Sequence, residues 1–97
     1  MQVERYEDQG TTVYKMQGRL DAHQVPALKS LIEVVPPGIV LDLAGVNFID
    51  STGLAFLVGV NKRARESKIG LKLRNLQDPV RLILEMVGLY DILPIER

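Results

Sequence analysis

The sequence predicts one α/β domain over residues 1–97, a mixed and mostly parallel sheet opened by an N-terminal hairpin, with helices mainly on one face. Three observations lead there. Short strand-like apolar runs alternate with stretches whose apolar residues recur at helical spacing, in the order β-β-α-β-α-β-α-β. Turn and cap signals fall at the junctions, notably Pro36-Pro37-Gly38, Asp78-Pro79 and Gly88. Alternation in the strands also leaves one side polar: Ile69, Leu71 and Leu73 oppose Gly70, Lys72 and Arg74, and Asp42 opposes Ile39, Leu41 and Leu43. Right-handed crossovers then stack the helices on the other side.

Val3 to Tyr6 and Thr11 to Gln17 are strand candidates around the turn Glu7-Asp8-Gln9-Gly10. Gly18-Arg19-Leu20-Asp21 leaves the second strand. Val25, Leu28, Leu31, Ile32 and Val35 mark an amphipathic helix, with Pro26 in its first turn and Pro36-Pro37-Gly38 stopping it. Ile39 to Leu43 is the next strand, and Ala44-Gly45-Val46 reads as a loop. The helix after Asp50 carries Leu54, Leu57, Val58 and Ala64 along one side, and its last turns hold the cations Lys62, Arg63, Arg65 and Lys68 where the dipole favours them. After the strand at Ile69 to Arg74, Asp78 is the expected N-cap of a third helix, with Pro79 at its first position. Leu82, Ile83, Met86 and Val87 form that helix's expected buried stripe, and Gly88 closes it. Leu89 to Pro94 reads as a last edge strand.

Composition narrows the function. Ninety-seven residues, 46% hydrophobic and 25% charged, suit a single core. Zero net charge gives no reason to expect nucleic acid as a partner. The absence of cysteine excludes thiol chemistry and thiolate metal sites, and a single histidine, His23, argues against a protein-built zinc site. The charged start is not a signal peptide, and no apolar run approaches the roughly 18 residues of a membrane span. The expectation is a cytoplasmic protein with no membrane, metal or cofactor, monomeric when free.

The chain is organised around Asn47-Phe48-Ile49-Asp50-Ser51-Thr52-Gly53-Leu54-Ala55-Phe56-Leu57. It reads as the end of a buried strand, a very short turn and the start of an apolar helix. Asp50 can cap that helix through its carboxylate, placing Ser51 and Thr52 at the first two helical positions, where unpaired N–H groups favour a phosphate. Catalytic readings fail. Asp50-Ser51-Thr52-Gly53 has one residue too many for the Asp-Thr/Ser-Gly of aspartic proteases, and no Gly-x-Ser-x-Gly elbow supports a triad of Ser51, His23 and Asp21. No phosphate-binding Gly-rich loop is present, and the Lys62–Lys68 run, without interleaved aromatics, reads as a solvated helix face. On physics alone two readings of the central stretch stand level: a switch residue at Ser51, or a plain capped helix with Gly53 as a packing point.

Phe48-Ile49-Asp50-Ser51-Thr52-Gly53-Leu54-Ala55 resembles the signature of STAS domains, specifically the bacterial anti-sigma factor antagonists, and Gly18-Arg19-Leu20-Asp21 is similar to that family's Gly-x-Leu/Ile-Asp turn. The Ile39–Leu43 strand and Val87-Gly88-Leu89 extend the likeness over nearly the whole chain. The resemblance implies a β-α superhelix and a partner-switching role without enzymatic activity. In this scheme the unmodified protein binds an anti-sigma factor serine kinase of the histidine-kinase-like ATPase fold, so that the sigma factor is released. The kinase phosphorylates Ser51, the complex separates, and a PP2C-type phosphatase restores the starting form. Asp21, Asp50, Thr52 and Gly53 would form the partner-binding surface, with Thr52 as a second hydroxyl at the site. Other STAS domains that the chain resembles serve as structural subunits of lipid-transport ABC complexes or sensory assemblies, where the same helix start would dock without a phosphate cycle.

Overall fold

The computed structural model describes residues 1–96. Strands β1 (Gln2–Asp8) and β2 (Thr11–Leu20) are followed by α1 (Val25–Leu31), β3 (Gly38–Ile49), α2 (Ser51–Glu66), β4 (Gly70–Arg74) and α3 (Asp78–Met86). The four strands lie side by side in sequence order, antiparallel between β1 and β2 and parallel thereafter. Each helical crossover therefore adds the next strand beside the last, which winds the chain into a β-α superhelix. All three helices feed one core: Val25 and Leu28 from α1, Phe56, Leu57 and Val60 from α2, and Val80 and Leu84 from α3 pack with the inward side chains of β2 and β3.

The hairpin is longer and tighter than the sequence suggests. Only Gln9 and Gly10 turn, both in the left-handed region at φ 53° and 85°, the two-residue geometry that matches strand twist. Gly18, Arg19 and Leu20 stay in β2, whose register against β3 slips at two points. β3 likewise runs straight through the expected loop at Ala44–Val46. Gly45 there is a packing residue, since a Cβ would stand 2.8 Å from the Met16 carbonyl oxygen.

Helix α1 stops at Leu31, earlier than its apolar spacing predicts, with Leu31 exposed and Val35 only half-buried. The buried Tyr14 explains it: its hydroxyl donates to the Glu33 carbonyl (2.9 Å) and accepts from the Glu33 N–H (3.0 Å), taking the groups a further helical turn would use. On α2, Leu54 is half-buried and Val58 exposed, while Gly53, Phe56, Leu57, Val60, Asn61 and Ala64 face inward. Helix α3 is rotated relative to the expected stripe. Val80 and Leu84 are buried and Ile83 half-buried, whereas Leu82, Met86 and Val87 are exposed, Met86 at 83%. Gln77, not Asp78, occupies its N-cap, and Asp78 instead accepts from Arg81 on the surface. The 89–94 stretch expected as a last strand is a series of turns and bends, and one parallel bridge, between Leu73 and Ile95, follows it.

The other sheet face is polar but closed at one place. Asp42 is buried, accepting from Asn75 Nδ2 (3.2 Å), the Ala44 N–H (3.0 Å) and Arg74 Nε (3.4 Å). Arg74 also donates to the Tyr6 hydroxyl (3.0 Å), a bond that links β4 to β1 across both intervening strands. Val13, the β2 partner of Tyr6, is 1% exposed although it stands outside the main core.

Candidate docking and modification site

The C-terminal end of the interior strand β3 delivers its last residues to the point from which α2 starts. Asp50 is extended (φ −112°, ψ −174°), and its Oδ1 accepts the Gly53 N–H at 2.9 Å, as a helix cap should. Its Oδ2 accepts the Ala22 N–H at 3.1 Å, and its own N–H donates to the Leu20 carbonyl at 3.2 Å. One aspartate thus ties the helix start to the turn that follows β2. Gly53 is buried against that same segment, and a Cβ there would overlap the Leu20 carbonyl oxygen. The absence of a side chain at Gly53 is what permits this close approach.

Asp21 organises the neighbouring turn. Its Oδ1 accepts the N–H groups of His23 (3.1 Å) and Gln24 (3.2 Å), and its Oδ2 pairs with Arg19 Nε at 3.3 Å. Burial pushes the Asp21 carboxyl up, but the Gln24 N–H, the Arg19 guanidinium and the His23 N–H together outweigh it and hold the group below the usual carboxylate range. The carboxylate is engaged by backbone groups and Arg19 rather than by the His23 ring, so the geometry does not build the triad of Ser51, His23 and Asp21.

Ser51 is exposed in the first turn of α2, Thr52 beside it is half-buried, and Asp50 and Asp21 are half-buried. The Ser51 hydroxyl has no hydrogen-bond partner among the described residues. Both Asp50 oxygens accept from N–H groups, so neither is placed as a base towards the Ser51 hydroxyl.

Two neighbours escaped the reading of the sequence. Arg19 lies over the Phe48 ring, 3.8 Å from its centroid, and the two residues are partners in the β2–β3 register. Both belong to motifs visible in the sequence, yet their stacking depends on the register slip between Gly18 and Arg19. No local signal announces that.

The STAS domain family model matches residues 2–97, so the chain belongs to the STAS domain family. Within that family it resembles the bacterial anti-sigma factor antagonists. The anti-sigma-B factor antagonist of Listeria monocytogenes is 41% identical over 83 residues, covering 81% of this chain and 73% of its own. Among solved structures, the anti-sigma factor antagonist SpoIIAA in its unphosphorylated form superposes with a TM-score of 0.78 at 20% identity, over 98% of this chain and 86% of its own. A sulfate transporter family protein from Wolinella succinogenes gives 0.77 at 20% identity, over 91% and 77%. The fold is therefore common to proteins of different roles.

Proposed function

We propose that this protein is an anti-sigma factor antagonist whose Ser51 is the switch. In its unmodified form it binds an anti-sigma factor serine kinase in the cytoplasm and so frees the sigma factor. Phosphorylation of Ser51 ends that contact, and a PP2C-type phosphatase restores it. Asp21, Asp50 and Thr52 border the acceptor and belong to the docking surface, while Gly53 lets the helix sit close enough to present it. The protein is the substrate of this chemistry and does none itself. The observation that carries the reading is an exposed serine hydroxyl, unpartnered among the described residues, in the first turn of a capped helix, in a chain related to proteins named for antagonising anti-sigma factors.

Energetics favour a switch that acts at the interface. A phosphate adds roughly −1.5 to −2 charge at neutral pH. At a helix N-terminus it gains up to ~2 kcal/mol, part of which Asp50 and Asp21 offset. The fold has little reason to change. A docked partner, in contrast, would meet a desolvated dianion, and about 3–5 kcal/mol is the usual scale for an uncompensated buried charge. That corresponds to a roughly hundred- to several-thousand-fold loss of affinity.

The test is to pull down partners with and without ATP and map the modified residue by mass spectrometry. Ser51→Ala should abolish phosphate incorporation and keep kinase binding; Ser51→Asp should weaken binding with an unchanged circular dichroism spectrum. Phosphate on Thr12 or Ser67 in place of Ser51 refutes the assignment. Recovery of a transporter ATPase with no phosphate cycle would replace it with a structural-subunit role.

A further inference from the structure

Ser51, Ala55, Val58, Lys62 and Arg65 are all exposed, at spacings of four, three, four and three residues. They form one stripe along α2, about 21 Å long at the helical rise per residue. At its far end the stripe enters an open trough of about 520 Å³ lined by Val58, Asn61, Lys62, Arg65, Glu66 and Ile92. A second hollow shares Asn61, Arg65 and Ile92 and continues towards Leu71 and Pro94.

The trough has two unsatisfied features. Its apolar floor is open to water, with Ile92 65% and Val58 41% exposed. Its rim sets the cations Lys62 and Arg65 against one acid, Glu66. Among the described residues Arg5, Arg19, Arg74 and Arg81 each pair with a carboxylate, whereas Arg63 and Arg65 pair with none, and Lys62, like the other lysines, forms no ion pair. The 62–68 run carries four cations against the single acid Glu66. A phosphodiester backbone would answer the charges but leave Val58 and Ile92 against polar surface. A protein segment with acidic side chains flanking an apolar one answers both.

We propose that this trough is a second anchor for the partner that docks at Ser51, receiving an acidic segment that places one apolar side chain between Val58 and Ile92. The proposal rests on the Ser51 reading for the identity of the partner. The apolar contact supplies retention, and the cations Lys62 and Arg65 steer association and make it sensitive to salt.

The experiment measures binding of the purified anti-sigma factor kinase from the same cell by fluorescence anisotropy over a range of salt concentrations. Lys62→Glu combined with Arg65→Glu should weaken affinity about tenfold or more at low salt and flatten the salt dependence. Ile92→Asp should weaken it at every salt concentration, and Lys72→Glu on the opposite sheet face should stay within about twofold of wild type. Phosphate incorporation at Ser51 with saturating kinase reads the switch separately. Unchanged affinity in the charge-reversed and Ile92 variants, with Ser51 still phosphorylated, overturns the trough and leaves the switch standing. Loss of affinity in those variants with phosphate placed elsewhere supports the trough and removes the switch. Self-association that disappears with Ile92→Asp, or binding of charge-intact protein to anionic vesicles in place of the kinase, assigns the trough to another occupant and overturns the proposal. A kinase that does not bind wild type at all overturns both.

Discussion

Asp21 and Asp50 show how two carboxylates can be used up by backbone. Between them they accept from the N–H groups of Ala22, His23, Gln24 and Gly53, and Asp21 holds Arg19 as well. The lowered pKa of Asp21 makes part of this testable by acid. A carboxyl held below its unfolded value contributes stability that is fully present above that unfolded value, about 3.9, and lost as pH falls through the folded one. Thermal melts between about pH 5 and 2 should therefore show wild type losing its advantage over Asp21→Asn as the medium acidifies. Parallel acid slopes for the two proteins would mean that Asp21 gains nothing from its partners. Residue by residue, much of this site was legible in the chain: the cap, the hydroxyl behind it and the aspartate of the preceding turn are local features with local reasons. Arg19 over Phe48 was not, because it needs two strands in a specific register.

Among the elements, α3 is where sequence and structure part most clearly. Its apolar residues are numerous enough to support more than one stripe, and spacing alone selected Leu82, Ile83, Met86 and Val87. The face chosen in the fold is the one carrying Val80 and Leu84, which packs towards β3 in the core that also holds Leu41 and Leu43. Leu84→Ala should accordingly cost about 2–5 kcal/mol in a denaturant melt. Met86→Ala, at an exposed position, should stay within about 0.5 kcal/mol. The reverse ranking would show that the helix faces the sheet as its periodicity first suggested. Helix α1 teaches a related lesson: a single tyrosine on β2 overrides its apolar spacing by capturing the N–H and C=O of Glu33.

For the whole molecule, the polar sheet face contributes more than solvation. Tyr6, Arg74 and Asp42 join β1, β3 and β4 in one connected group of side chains. Arg74 loses some of its charge preference to burial, but the hydrogen bond and attraction of Asp42 outweigh that and raise its pKa. Removing the guanidinium with Arg74→Ala leaves the Asp42 carboxylate buried with only Asn75 and the Ala44 N–H for support, at a cost of about 2–3 kcal/mol in chemical unfolding. Tyr6→Phe, which forfeits one exposed bond, should cost about 0.5–1 kcal/mol. Equal losses would place the stabilisation in the tyrosine instead of the buried carboxylate.

The amino-acid sequence alone determined the number and order of most elements, the hairpin and parallel crossovers, the Asp50 cap and the position of Ser51 in the first turn of α2. Each of these follows from periodicity or from chemistry within a few residues. Only the tertiary structure decided where α1 ends, that β3 continues through Gly45, which face of α3 is buried, and that Asp42 is enclosed rather than solvated. Those outcomes depend on contacts between residues far apart in the chain, 19 positions for Tyr14 with Glu33 and 68 for Arg74 with Tyr6. Such contacts form only once the strands are in register, so the residue that decides a local structure can lie well outside its neighbourhood.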